Sequence, residues 1–198
     1  MRPFAAPFLL ALLLALAPAQ AADIDVKVRR SGDVFTVEAH AEFDGSIART
    51  WQVLTDYGRY SEYIPDLTHS RVISRQGREV QVEQKGEARL LFLVFPLDVR
   101  LAVSEHPYER VASRAVAGSF REMRNTYFLE AREGRVLLRY TGRLVPDFYL
   151  PPVVGTLVLK STVEAMFVAL VEEMERRNAL PEKPGDQGSG TRPVPSGQ

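Results

Sequence analysis

The sequence predicts an α+β fold: a curved antiparallel sheet of six to seven strands wrapped around a long C-terminal helix, with two short helices after the first strand. Three observations carry that expectation. Phe35, Val37, Ala39, Ala41 and Phe43 alternate with Thr36, Glu38, His40 and Glu42, the period of a strand with one wet face. The block Phe43 to Leu67, FDGSIARTWQVLTDYGRYSEYIPDL, then joins a strand end, a helix start, a Trp-bearing helix and a tyrosine-rich second turn in one short span. Far downstream, Leu159, Val163, Met166, Leu170 and Met174 recur at steps of three and four, opposite Lys160, Glu164, Glu172 and Glu175. That is a helix with one face on a core.

Taken in order, residues 1–21 read as an export leader. Met1 and Arg2 make a positive start, Phe8 to Ala17 is apolar, and Ala19-Gln20-Ala21 offers small residues for cleavage. The apolar run is about half of the roughly 20 residues a spanning helix needs, and Pro18 ends it. Cleavage near Ala21 is expected to release a soluble protein, most simply into a bacterial periplasm. Residues 22–33 form a lead-in in which Ile24, Val26 and Val28 alternate with charges, either an early strand or an extended segment, up to a turn at Ser31-Gly32-Asp33.

The domain proper is expected over 34–178. Ile47, Trp51 and Leu54 mark the first helix, which Asp44 or Ser46 can cap; Tyr57, Tyr60, Tyr63 and Ile64 follow on a shorter one that Pro65 limits. A turn at Gln76-Gly77 leads to a strand in which Val80, Val82, Gln84, Gly86 and Ala88 share a face. Leu90 to Leu97, LLFLVFPL, breaks the alternation. It reads first as a core strand buried on both sides and bent at Pro96, and second as a mouth loop meeting a membrane or an apolar ligand. Alternation resumes through Val99, Leu101 and Val103, and further strands follow His106-Pro107, cross Phe120 to Glu130, and leave the Arg132-Glu133-Gly134 turn. Pro151 and Pro152 suit the first turn of the long helix, and Arg176 and Arg177 its negative end. Residues 179–198 are expected to be a disordered tail: from Pro181 they hold four prolines, four glycines and no aromatic residue.

Composition excludes several functions. The chain has 198 residues, 25 basic and 25 acidic, so no basic excess marks a nucleic-acid partner. It has no cysteine, hence no thiol nucleophile and no disulfide, and the core alone must hold it. His40, His69 and His106 lie far apart in zinc-free spacing and read as surface histidines. Neither GxSxG nor a phosphate loop occurs. No metal, cofactor or catalytic residue is assigned. Asp56 and Asp66 read as capping and turn residues.

The order of strand, two short helices, strands and closing helix is that of the helix-grip fold. At Thr50 to Leu67, Gly118 to Phe148 and the proline-led helix, the chain resembles the START-like (SRPBCC) lipid-binding and polyketide-cyclase superfamily. Within it the nearest resemblance is to the coenzyme Q-binding START-type family. Two departures bear on the ligand: Ser61 stands where many relatives have proline, and Asn125 and Tyr127 stand where they tend to carry Gly and Trp. The resemblance implies a cavity that takes a lipid, quinone, steroid or polyketide, and in a few members a cyclisation or dehydration.

One helix cannot fill a strongly curved sheet, so a slot is expected between them. Ile64, Phe92, Phe120, Met123, Tyr127, Tyr140, Leu159, Val163, Met166 and Phe167 are its candidate ligand-binding residues. They offer apolar surface with a few hydroxyls, although each also reads as ordinary core. The expected function is an exported carrier of a hydrophobic small molecule, a lipid or isoprenoid quinone, with transient membrane contact. Two alternatives stay open. A cyclase or dehydratase would use Arg121, Arg139, Tyr127 or Tyr140 on developing charge. A protein-interaction module would expose Leu90 to Leu97 or the long helix.

Overall fold

The computed structural model describes residues 22–90 and 93–181. The expected leader, nearly all of the expected tail, and Leu91 and Phe92 lie outside the described residues. Eight strands form one antiparallel sheet: β1 (Asp23–Ser31), β2 (Val34–Asp44), β3 (Leu67–Gln76), β4 (Glu79–Leu90), β5 (Leu93–His106), β6 (Arg110–Gly118), β7 (Phe120–Arg132) and β8 (Arg135–Pro146). Their order across the sheet is β1-β2-β8-β7-β6-β5-β4-β3, so the first long strand lies beside the last. Irregular register within β3–β4, β5–β6 and β7–β8 marks bulges, which bend strands and help the sheet curve. The curved sheet and the long C-terminal helix make this a START-like helix-grip fold.

Between β2 and β3 come α1 (Ile47–Leu54), a 3-10 turn (Tyr57–Arg59) and α2 (Tyr60–Tyr63). The Ser46 hydroxyl accepts from the Arg49 amide and caps α1, and α2 stops before Pro65. The helix α3 (Pro152–Asn178) has 27 residues and runs about 40 Å at 1.5 Å per residue. It is long and apolar enough to cross a membrane. Here its Val158, Val163, Phe167, Leu170, Val171 and Met174 are buried, most of them in one core with Phe35, Val37, Phe43, Val136 and Leu138 of β2 and β8.

The two ends of the helical layer cap each other. Arg49 Nη1 donates to the carbonyls of Arg177 (3.0 Å) and Asn178 (2.8 Å) at the C-terminus of α3 and to that of Leu180 just beyond it. Asn178 Oδ1 in turn accepts from the Ser46 amide at 2.8 Å. Alternation in β2 and β8 follows the expected phase, with Phe35, Val37, Ala39, Ala41 and Phe43 buried and the residues between them facing out. The β7–β8 connection is Glu133-Gly134, both at positive φ (42° and 86°), the requirement of a type I′ hairpin turn.

Two expectations are corrected. The sheet has eight strands and not six or seven, because of the two alternatives for the lead-in it is the strand that holds: β1 pairs with β2 from Asp23↔Glu42 to Ser31↔Val34. Three β-branched residues, Ile24, Val26 and Val28, do not separate a strand from a linker by periodicity, and the neighbouring edge supplies the partner. Leu90 to Leu97 is not a doubly buried strand. Leu90 pairs with Leu93, so the run straddles the tip of the β4–β5 hairpin. Val94 is 48% exposed, while Phe95 turns inward and stacks on Phe148 at 5.9 Å.

Candidate functional site

A cavity of ≈ 200 Å³ lies between the concave face and α3. Its floor comes from alternate residues of the central strands, which point to one side of the pleat: Val99, Leu101 and Val103 of β5, Val111 and Ser113 of β6, Met123, Asn125 and Tyr127 of β7, and Tyr140 and Leu144 of β8. Leu159, Thr162, Val163 and Met166 of α3 form the roof, and Tyr57, Tyr60 and Ile64 close one side. Charged residues occur only at the rim, as Asp66, Lys85 and Glu87. A smaller space of ≈ 40 Å³ shares Leu97, Phe120, Leu144, Leu159 and Thr162 with the cavity and extends to the Phe95–Phe148 stack.

Of the ten candidate residues, eight line this cavity: Ile64, Phe120, Met123, Tyr127, Tyr140, Leu159, Val163 and Met166. Phe167 does not. It is fully buried behind Tyr140, with ring centroids 6.5 Å apart. Phe92 lies outside the described residues.

The polar groups of the cavity are few and unequal. Tyr140 donates its hydroxyl proton to Asn125 Oδ1 at 3.0 Å, and its ring lies 4.8 Å from that of Tyr127. Burial pushes both phenols up, so each stays protonated. The tyrosine-rich side is tied down by its hydroxyls. Tyr60 donates to the Leu54 carbonyl at 2.6 Å, and Tyr57 donates to Glu105 Oε1 at 3.0 Å. Glu105, buried on β5, also accepts from Arg75 at 2.7 Å. Ser70 Oγ donates to the Tyr57 carbonyl at 2.5 Å.

A second polar cluster joins this side to the end of α3. Buried Glu173 accepts from Arg176 (2.7 Å) and Arg177 (2.6 Å), and Arg177 reaches Asp56 at 2.9 Å. The hydrogen bond from Arg176, then that from Arg177, holds the Glu173 carboxyl below the usual carboxylate range. Asp56 therefore works as an ion-pair partner, and its side chain makes no capping hydrogen bond.

The cations expected for a cyclase are elsewhere. Arg121 pairs with Asp33 at 3.0 Å on the surface, and Arg139 stands outside over the Phe128 ring at 5.8 Å. Arg124 and Arg132 are likewise exposed. Among the histidines, His40 and His69 are exposed, but His106 corrects the surface reading. It is half-buried, with Nε2 3.1 Å from the Arg110 guanidinium, because the β5–β6 register sets it opposite Arg110. No group of three potential metal ligands occurs among the described residues.

Residues 44–171, well over half of the chain, match the family described as polyketide cyclase / dehydrase and lipid transport. The chain belongs to that family. Solved structures share the family fold. The aromatase/cyclase ZhuI from a Streptomyces species superposes with a TM-score of 0.62 at 17% identity, over 73% of this chain and 95% of that one. A STAR-related lipid transfer protein from Xanthomonas axonopodis gives 0.63 at 12% identity, over 80% and 96%. A START superfamily protein from Mycobacterium smegmatis gives 0.61 at 17% identity, over 71% and 97%. No curated protein matches the chain in sequence. At these identities the likeness is one of fold, and the fold holds transfer proteins and cyclases alike.

Sequence reasoning does not place several polar residues at this family member's cavity and its supports, among them Ser113, Thr162, Glu105 and Glu173, and it marks Asn125 only as a departure from the family pattern. Strand period alone places Asn125 on the face of Met123 and Tyr127, and Glu105 on that of Leu101 and Val103. Glu173 sits beside the apolar stripe of α3, a position that a period of 3.6 leaves at the boundary.

Proposed function

We propose that this protein binds a hydrophobic small molecule in the cavity under α3 and carries it through water. The observation behind this reading is a slot of ≈ 200 Å³, open at one side, whose depth holds apolar side chains and uncharged polar groups, with ions only at its rim. Each methylene withdrawn from water contributes about 0.8 kcal/mol, so an acyl or isoprenoid chain binds there without a charged clamp. Carriage is favoured over cyclisation because, among the described residues, no arginine lines the cavity and its one lysine, Lys85, is at the rim and paired with Asp98, which leaves the depth of the slot without a cation for a developing enolate. The family description includes lipid transport, and one fold neighbour is a lipid transfer protein. Export to a periplasm, an isoprenoid quinone or acyl lipid as the cargo, and brief membrane contact during loading belong to the same proposal.

Native mass spectrometry of the protein purified from its own cells, followed by organic extraction, tests it. The expected result is one hydrophobic molecule per chain, and about tenfold less of it in Val163→Trp, where the added ring fills the slot. A protein that emerges empty and takes up no neutral lipid probe sinks the carrier reading.

A further inference from the structure

The floor of the cavity carries two hydrogen-bond donors that the protein leaves unused. Asn125 is only 8% exposed, and its Oδ1 is taken by the Tyr140 hydroxyl. The amide is oriented that way because the Tyr140 proton has no other acceptor among the described residues, so Nδ2 is the free end. It has no partner among them. The Tyr127 hydroxyl, two residues along the same strand face, has none either. Both donors face the slot, where water can meet them while it is empty, so a ligand that displaces that water must supply an acceptor or leave them unpaired.

The charge pattern narrows that acceptor. The single cation in the lining, Lys85, is at the exposed rim and already 3.1 Å from Asp98. Asp66 and Glu87 share the rim and both pair with Arg89, so that guanidinium is already engaged and the mouth offers no uncommitted cation to an anion. A carboxylate or phosphate buried at Asn125 would lack a counter-charge. We infer that the ligand is an uncharged molecule whose carbonyl-type oxygen (ketone, quinone or ester) is received by Asn125 Nδ2 and the Tyr127 hydroxyl, its apolar remainder lying along β5 and α3. This rests on the carrier reading and names the chemical class of its cargo.

The test is displacement of the neutral fluorophore N-phenyl-1-naphthylamine by 2-undecanone, undecane and undecanoate at pH 7, on the wild type, Tyr127→Phe and Asn125→Leu. The expected result is that the ketone displaces at about fivefold lower concentration than the hydrocarbon, the worth of one net hydrogen bond. Undecanoate is expected to be weakest. In Tyr127→Phe, which removes only a hydroxyl, the ketone-to-hydrocarbon ratio falls to about half or less; Asn125→Leu lowers it further. Equal displacement by ketone and hydrocarbon, a ratio unmoved by Tyr127→Phe, or a preference for undecanoate overturns the inference while leaving the carrier reading standing. If the fluorophore and all three compounds fail to bind, the carrier reading fails and takes the inference with it.

Discussion

Gly142 faces Asn125 across β7 and β8, and a Cβ there would lie 2.7 Å from Tyr140 Oη and 3.2 Å from Asn125 Oδ1. The missing side chain is what lets the buried phenol reach the amide. Gly142→Ala is expected to push the two apart and cost about 1–3 kcal/mol, read as a lower urea midpoint with an unchanged slope. Residues of this kind show how far reading from sequence reaches. Met123 and Tyr127 are legible on the concave face from a period of two. Asn125 has the same period, but its polarity argues for water. Only the glycine opposite and the phenol beside it show why it is inside.

At the scale of elements, the turn and short helix over Tyr57–Tyr63 are held to the sheet by polar contacts under a thin apolar cover. Tyr57 contributes both its hydroxyl, given to Glu105, and its carbonyl, taken by Ser70. Opening this side would expose Tyr57, Tyr60 and Ile64, which close the cavity there. Tyr57→Phe keeps the ring and removes one bond to a buried carboxylate, a loss of about 1 kcal/mol. Amide hydrogen exchange at Ile64, whose N–H donates to the Tyr60 carbonyl, is expected to quicken about fivefold while the β8 amides stay unchanged. Exchange rising equally in β8 would mean global destabilisation and no local opening. The helical spacing of Ile47, Trp51 and Leu54 makes α1 legible, and Pro65 marks the end of α2. The fixation by Glu105 is not legible, since it spans 48 positions and depends on which strand lies beneath. The β4–β5 hairpin is hidden for a related reason: an unbroken apolar run conceals a reversal that pairing alone reveals.

For the molecule as a whole, the ion pairs around Glu173 link α3 to α1's neighbour Asp56 and so brace the helical layer. The Glu173 carboxyl is held below its ordinary value near 4.5. Its contribution is therefore full above that value and disappears as pH falls through the lower folded one. Glu173→Gln is expected to cost about 1 kcal/mol at pH 7, a modest figure because solvent screens the exposed Arg176. Thermal melts of the two proteins should converge as the pH is lowered from about 5 toward 3. A constant gap at every pH would show that the carboxylate's charge is not what matters. The overall architecture is the most legible level, because the order of strand, short helices, strands and long helix admits few arrangements. The mutual capping of Ser46, Arg49 and Asn178 is invisible in the sequence, since it joins residues 132 positions apart.

The pairing of β2 with β8, Phe35 against Leu144 and Phe43 against Val136, has a consequence for how the chain is made. The second strand to be synthesised must wait for the eighth before its inner edge has a neighbour. α3, which covers them both, comes later still. Until β8 and then α3 have emerged, the two parts of the sheet are not joined and there is no chamber for a guest to enter. The strands β3 to β7 find their neighbours in the order they are made, whereas the chamber is completed only by the long-range joining of β8 to β2, the slow kind of contact.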